Sequence, residues 1–175
     1  YGDVSVYRRV RAAGASTGDE LLQPGEPLQP GKIYNSNLYL LAGRLKELGA
    51  EVTVLGSVPD DVERAAEVIA SYADRVDLFL TSGGVSVGKK DIMHGVVPAL
   101  GAERLFWRVC MKPGAPAIAY TRGAVLGIAL SGNPFAAYAT FELMARPVLA
   151  RLSGRSEVLP VRRRAVLADA FPKDC

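Results

Sequence analysis

Short apolar segments that are typical of buried β-strands alternate along this chain with longer segments of helical periodicity. The strands are predicted at residues 8–15, 51–57, 76–80, 103–109, 117–120 and 124–130. The helices are predicted at residues 37–48, 62–74, 91–100 and 135–152, with a break near Pro147 in the last of them. Strands that alternate with helices form a mostly parallel sheet with helices on both faces. The pattern therefore predicts an α/β fold.

Residues 80–91, Leu-Thr-Ser-Gly-Gly-Val-Ser-Val-Gly-Lys-Lys-Asp, connect one predicted strand to the next helix. Three glycines permit positive φ angles and a close approach of backbone to ligand: Gly83, Gly84 and Gly88. Asp91 adds a carboxylate where the helix is predicted to begin. A loop between a strand and a helix offers N–H groups and a positive helix end to an anion. We interpret the segment as a phosphate-binding loop beside an acidic residue, as phosphate–Mg²⁺ chemistry requires, although a tight turn has the same local pattern.

Four polar loops directly follow predicted strands or lie beside them. They are Ser16–Glu20, Ser57–Asp61, Ser82–Asp91 and Ser131–Pro134. Ligands of parallel α/β sheets bind beyond the carboxyl ends of the strands. We therefore expect these loops to gather at one edge of the sheet, with the Pro/Gly-rich loop 23–32 at the rim of a site.

Composition argues against binding to nucleic acid or membranes. The net charge is only +3, and the basic runs at residues 8–11 and 162–164 have no interleaved aromatic residues. No apolar run approaches the ~20 residues of a transmembrane helix. We expect a soluble protein that binds neither nucleic acid nor membranes.

The cysteine and histidine content argues against a disulfide framework and a zinc site. Cys110 and Cys175 lie far apart, and His94 is the one histidine. Two isolated thiols fit the reducing cytoplasm. Cys110 lies in an apolar segment, so we expect a packed thiol there.

The ends of the chain suggest a piece of a longer protein, because it starts at Tyr1 rather than Met. We predict one α/β domain over residues 1–154. Residues 155–175 are predicted to be a linker and the first strand of a further β domain, since residues 158–168 alternate apolar and basic side chains.

Six short motifs in a fixed order carry a family resemblance. They are Ser16–Leu21, Ile33–Asn37, Ser82–Gly88, Phe106–Arg108, Met111–Gly114 and Ser131–Pro134. In these motifs, from about Val4 to Gly154, the chain resembles the molybdopterin molybdenumtransferases, the family that includes the gephyrin E domain. The resemblance implies their pterin-binding domain, a three-layer α/β/α fold, followed by the start of their C-terminal β domain.

The resemblance also implies an activity. Members of the family transfer molybdate to adenylylated molybdopterin and release AMP, with the help of Mg²⁺. The implied partners are these small molecules, a second copy of the protein in a homodimer, and the adenylyltransferase of the same pathway.

The resemblance assigns roles to individual residues. Catalysis is expected from Glu20, Asp60, Asp91 and Lys112, of which Asp60 and Asp91 would bind the metal. The expected substrate-binding residues are Thr17, Gly18, Asp19, Ser36, Ser82, Gly83, Gly84, Ser86, Gly88, Arg108, Pro113, Gly114, Ser131, Gly132, Asn133 and Pro134. For Asp60 and Asp91 the alternative role is a helix N-cap, and for Glu20 it is an exposed loop carboxylate.

Four residues depart from the family pattern. Ser131 replaces a proline, Lys89 an acidic residue, Asn35 an aspartate and Arg108 a lysine. Together they make the site more positive, which puts metal affinity and turnover in question. Two other functions therefore stay open: the adenylyltransferase that precedes this step and shares the fold, and a pterin-binding scaffold without catalysis.

Overall fold

The computed structural model describes residues 2–86, 91–166 and 168–169. The strands of these residues are β1 (Arg11–Thr17), β2 (Leu21–Leu22), β3 (Ile33–Tyr34), β4 (Glu51–Val58), β5 (Leu78–Ser82), β6 (Glu103–Trp107), β7 (Ile118–Arg122) and β8 (Val125–Leu130). The helices are α1 (Ser36–Glu47), α2 (Val62–Ser71), α3 (Met93–Ala99), α4 (Pro134–Thr140) and α5 (Arg146–Leu152), with a π-helical segment, Phe141–Ala145, between the last two. Gly88 and Lys89 lie outside the described residues.

Six strands form one sheet in the order β4-β1-β5-β8-β7-β6. The strands β4, β1, β5 and β8 pair in parallel, whereas β7 is antiparallel to both β8 and β6. Only β7 therefore runs against the other five strands. The predicted mostly parallel sheet is confirmed.

Successive residues of the central strands point to opposite faces of the sheet and divide the core in two. Phe79 packs with residues of α2 and α3, including Ile69 and Met93. Its neighbour Leu80 packs on the other face with Leu45 of α1 and Phe141. Because helices cover both faces, the fold has three layers, α/β/α, as expected.

Close packing in the sheet depends on one glycine. Tyr120 of β7, 1% exposed, lies opposite Gly127 of β8. A Cβ at Gly127 would come within 2.0–2.4 Å of three ring carbons of Tyr120. The ring therefore occupies the space that a side chain at residue 127 would need.

The predicted break near Pro147 takes the form of a π turn. The N–H of Arg146 bonds to the carbonyl of Phe141, five residues earlier. Pro147 has no N–H to continue an α-helical ladder, and this is the physical cause of the wide turn. The predicted helix 135–152 thus becomes α4, a π segment and α5.

Several local predictions were wrong. The first strand starts at Arg11 rather than residue 8, and helix α3 starts at Met93 rather than residue 91. The parallel pair β2–β3, on either side of the loop 23–32, was missed because two-residue strands carry no periodicity. Cys110 is exposed instead of packed, because it follows β6 at the edge of the sheet.

After α5, residues 153–166 contain no helix or strand. The predicted strand at 158–168 is thus not formed over residues 158–166. A strand forms only where it can pair with another strand, and these residues pair with none of the described strands. The domain boundary at residue 154 stays a prediction. Of the helices that the structure describes, none has the length and apolar character to cross a membrane.

Candidate functional site

A cleft of about 290 Å³ lies beyond the carboxyl ends of β1, β5 and β8. The chain leaves β1 toward α1 and β4 on one side, and leaves β5 toward α3 and β6 on the other. Where neighbouring loops diverge in this way, a doubly wound sheet opens a crevice. The four predicted loops meet here, since each contributes to the lining: Ser16, Thr17, Gly18, Glu20, Asp60, Ser82, Gly83, Gly84, Val85, Ser86, Asp91, Ser131, Gly132 and Pro134.

The glycines of the β5 loop allow it to touch the β1 loop. Gly83 has φ +100°, and a Cβ there would lie 2.5 Å from the carbonyl oxygen of Thr17. Gly84 has φ +66°, and its Cβ would lie 3.0 Å from the Thr17 hydroxyl. The need for glycine at 83 thus comes from contact between two loops, which closes the bottom of the cleft.

Part of the backbone of the predicted phosphate-binding loop is already hydrogen-bonded within the protein. The Gly83 N–H donates to the Leu130 carbonyl at 2.9 Å, and the Ser86 N–H donates to the Asp91 carboxylate at 2.8 Å. Among the described residues, the N–H groups of Gly84 and Val85 donate to no other backbone or side-chain group.

Asp91 is not a helix cap. The N-cap of α3 is Ile92, which makes no side-chain capping bond. The Asp91 carboxylate instead closes the loop by accepting from Ser86, and it lines the cleft. The capping alternative for Asp91 is wrong.

Asp60 is also not a helix cap, because its neighbour has that role. The Asp61 carboxylate accepts the N–H of Arg64 at 2.8 Å and caps α2. Asp60 lines the cleft, and its carboxylate accepts the Asp19 N–H at 3.4 Å, while the Asp60 N–H donates to the Asp19 carboxylate at 3.3 Å. These paired bonds tie the β1 and β4 loops together.

Glu20 brings a third carboxylate to the cleft. Gly18, at φ +144°, leaves room for it, because a Cβ there would lie 2.8 Å from both Glu20 carboxylate oxygens. Glu20, Asp60 and Asp91 thus reach one cleft from three loops, and no Lys, Arg or His is among the lining residues that the structure describes.

The carboxylates fit a metal that is shared with a ligand. Over residues 2–86 and 91–166, no group of three or more Asp, Glu, His or Cys side chains could hold a metal ion. Mg²⁺ does not need such a group, since one or two carboxylates and ligand phosphates commonly hold it in proteins.

Some predicted site residues lie outside this lining. Arg108, at φ +69°, places its guanidinium 5.5 Å from the centre of the Trp107 ring. Asn133 caps α4 by accepting the Ala136 N–H at 3.0 Å. The others that the structure does not place in the lining are Asp19, Lys112, Pro113 and Gly114. Roles for these residues in substrate binding stay predictions.

Two asparagines of the Ile33–Asn37 motif, Asn35 and Asn37, form a buried polar cluster at the cleft, and neither was predicted to bind substrate. The Asn37 amide nitrogen donates to the Ser82 hydroxyl at 2.9 Å and to the Gly132 carbonyl at 2.8 Å. The Asn35 amide oxygen accepts from the Ser16 hydroxyl at 3.0 Å. An Asn-x-Asn sequence at the start of a predicted helix is the one local signal, and it indicates capping rather than a site.

Three polar atoms of the cleft are buried without a hydrogen-bond partner in the described structure: Thr17 Oγ1, Asn35 Nδ2 and Asn37 Oδ1. Leaving such an atom unpaired costs about 1–3 kcal/mol. Native proteins contain few of them, and each one calls for an explanation. All three belong to residues that line the cleft, although the atoms themselves have almost no accessible surface.

Comparisons with known proteins show the family of this chain. Residues 14–151 match the family described as "Probable molybdopterin binding domain". A molybdopterin molybdenumtransferase of Bacillus subtilis is 35% identical over 99% of this chain and 40% of its own length. One from Nostoc is 42% identical over 86% of this chain and 35% of its own length.

A solved structure agrees as well. The molybdopterin biosynthesis moeA protein of Pyrococcus horikoshii superimposes with a TM-score of 0.77 at 31% identity, over 86% of this chain and 37% of that one. The chain spans about two fifths of the length of the curated relatives that it matches. With residues 14–151 matched, the chain belongs to the molybdopterin-binding domain family, in the form that molybdopterin molybdenumtransferases carry.

Proposed function

We propose that the protein carrying this chain is a molybdopterin molybdenumtransferase, which transfers molybdate to adenylylated molybdopterin and releases AMP in the cytoplasm. The observation that supports this most is the cleft itself. In a domain of the molybdopterin-binding family, it combines carboxylates from three loops with unpaired polar atoms at the crevice of the sheet.

The proposal gives Asp60 and Asp91 the task of holding Mg²⁺. Both line the cleft, and neither is used as a helix cap. When bound, Mg²⁺ would withdraw charge from phosphate oxygens. The Asp91 carboxylate also accepts a hydrogen bond from the Ser86 backbone, so it would fix the position of the loop relative to the metal. Glu20, the third carboxylate, is available to accept a proton or orient water.

Positive charge for molybdate has to come from outside the described lining. The proposal assigns this to Lys112, which is exposed, with Arg108 nearby in the chain. The resemblance extends the proposal to a homodimer that receives adenylylated molybdopterin from the adenylyltransferase of the pathway.

The test is AMP release from adenylylated molybdopterin, followed by chromatography, in the full-length parent protein and in this chain. We expect release by the parent to require Mg²⁺ and to rise with molybdate. Asp91→Asn and Lys112→Ala should each lower the rate at least about tenfold, which corresponds to about 1.4 kcal/mol. Asp74→Asn and Lys46→Ala, two exposed residues outside the cleft, serve as matched controls.

Two outcomes would contradict the proposal. Consumption of ATP with free molybdopterin would identify the adenylyltransferase instead. Molybdopterin binding by the parent without any AMP release would identify a pterin-binding scaffold.

A further inference from the structure

The side chain of Trp107 is not explained by the packing of the core. It belongs to β6, an edge strand whose five residues are all exposed, and it is itself 37% exposed. It is the only tryptophan of the chain, and no residue of the Phe106–Arg108 motif is among the described lining of the cleft. A large ring at an exposed strand edge therefore calls for another partner.

That partner is the backbone of the β5 loop. The Trp107 indole N–H donates to the Val85 carbonyl at 3.3 Å. The Trp107 ring also meets the His94 ring edge-on, with the ring centres 4.7 Å apart and the planes at 89°. His94 Nε2 lies 3.3 Å from the Ser86 carbonyl oxygen. Because a carbonyl oxygen only accepts hydrogen bonds, this nitrogen must carry a proton.

Three consecutive carbonyls of the β5 loop are thus held by residues outside the loop. The Met93 N–H donates to the Gly84 carbonyl at 3.0 Å, and Trp107 and His94 bind the next two carbonyls. The three donors belong to α3 and β6, whereas residues 84–86 line the cleft. The edge strand and α3 therefore support this side of the cleft from behind.

The support reaches Asp91 through a single peptide group. The Val85 carbonyl and the Ser86 N–H belong to the same planar trans peptide, so they point in opposite directions. Trp107 donates to one end of this peptide, and the Asp91 carboxylate accepts from the other end at 2.8 Å. The orientation of the peptide is therefore fixed from both sides.

We infer that Trp107 and His94 are positioning residues of the cleft. Trp107 turns the Val85–Ser86 peptide toward the Asp91 carboxylate, and His94 holds the carbonyl that follows. The inference rests on the proposed function in one respect, that Asp91 holds Mg²⁺. Neither side chain is among the described lining, so both act through the loop and not by contact with a ligand.

Hydrogen exchange of the Ser86 amide in this chain, followed by NMR, tests the inference without any ligand. Trp107→Phe keeps an aromatic ring but removes the N–H donor. We expect the Ser86 amide to exchange about threefold to tenfold faster in this variant, as the loss of one hydrogen bond implies. Phe106→Leu is the matched control, because Phe106 is as exposed as Trp107 and points to the other face of β6. It should leave Ser86 exchange unchanged.

Two substitutions at His94 separate its hydrogen bond from the packing of its ring. His94→Gln keeps a side-chain N–H donor, whereas His94→Leu has a similar size and no donor. We expect His94→Leu to speed Ser86 exchange about threefold to tenfold and His94→Gln to stay within about twofold of the natural chain. Equal exchange in the two variants would show that only the volume at this position matters, and would overturn the inference.

In the full-length parent protein, the positioning role predicts a particular kinetic signature. Trp107→Phe and His94→Leu should raise the Mg²⁺ concentration for half-maximal AMP release about threefold to tenfold, because fewer molecules have the loop in place before the metal binds. The kcat at saturating Mg²⁺ should change less than about twofold, since the bound metal restores the arrangement. A lowered kcat with unchanged Mg²⁺ dependence would contradict a positioning role.

Unchanged Ser86 exchange in Trp107→Phe would also overturn the inference. The transferase proposal would survive that result, since AMP release by the natural parent does not depend on it. Conversely, a parent that releases no AMP would refute the transferase, while faster Ser86 exchange in Trp107→Phe and His94→Leu, but not in His94→Gln, would still support the positioning of the loop.

Discussion

At the scale of single residues, Gly127 has the clearest structural requirement. A Cβ at this position would overlap the ring of Tyr120, which is fully buried. We expect Gly127→Ala to lower the free energy of unfolding by about 3 kcal/mol, measured by urea denaturation. Gly43→Ala is the matched control, because a Cβ at this helical glycine meets nothing within 4 Å. It should be neutral or gain about 0.5–1 kcal/mol.

A second residue-scale prediction concerns acid stability. Arg8 donates two hydrogen bonds to the Asp77 carboxylate, at 2.6 and 2.7 Å, and the Arg11 N–H donates a third at 2.9 Å. The bonds from Arg8 hold the pKa of Asp77 well below its usual range. Burial of the carboxylate acts in the opposite direction, but its effect is smaller. A carboxylate whose pKa is lowered by folding stabilises the fold at every pH above its pKa in the unfolded chain. This contribution is lost as the pH falls below about 4.

We therefore expect Asp77→Asn to be less stable than the natural chain at pH 7, with a difference that shrinks steadily from pH 4 to pH 2. Thermal unfolding across this range measures it. A difference that stayed constant with pH would show that the carboxylate contributes by packing and not by charge. Asp74→Asn, an exposed neighbour that forms no ion pair within the described residues, should show no such pH dependence.

At the scale of elements, the neighbouring residues Asp60 and Asp61 have different roles at the start of α2. Asp61 caps α2, whereas Asp60 lines the cleft. We expect Asp61→Ala to lower the free energy of unfolding by about 1 kcal/mol without changing Mg²⁺-dependent binding of molybdopterin. Asp60→Ala should weaken that binding. Denaturation and binding titrations of both variants check the assignment, and reversed effects would contradict it.

The sequence could not make this distinction, because either aspartate can cap a helix that starts at residue 62. The order of the elements and a mostly parallel sheet were predictable, since periodicity and loop composition are local properties. The pair β2–β3 was not, because Leu21–Leu22 and Ile33–Tyr34 become strands only by meeting each other. The exposure of Cys110 was not predictable for the same reason, because it depends on the position of β6 in the sheet. The apolar residues around it in the sequence lie at an exposed edge.

At the scale of the whole molecule, the cleft is a property of topology rather than of any segment. Its lining comes from loops that follow β1, β4, β5 and β8, from the strand pair β2–β3 and from the start of α1. The meeting of the four loops was predictable, because parallel strands place their carboxyl ends at one edge. The unpaired atoms of Asn35 and Asn37 were not, since they depend on which partners the surrounding loops supply.

A cleft shared among so many loops exists only in the folded chain, so a ligand that fills it must stabilise the fold. By mass action the gain is about 2.7 kcal/mol when free ligand exceeds its Kd a hundredfold. With no group of three metal-ligating side chains in the part of the chain that the structure describes, Mg²⁺ alone should shift the melting temperature little. Adenylylated molybdopterin with Mg²⁺ should shift it well beyond the ligand alone, and EDTA should remove the difference.

A full shift from Mg²⁺ without ligand would contradict a metal held jointly by Asp60, Asp91 and phosphate. An identical ligand shift in Asp60→Ala and the natural chain would contradict it equally, because the carboxylate could then be removed without loss.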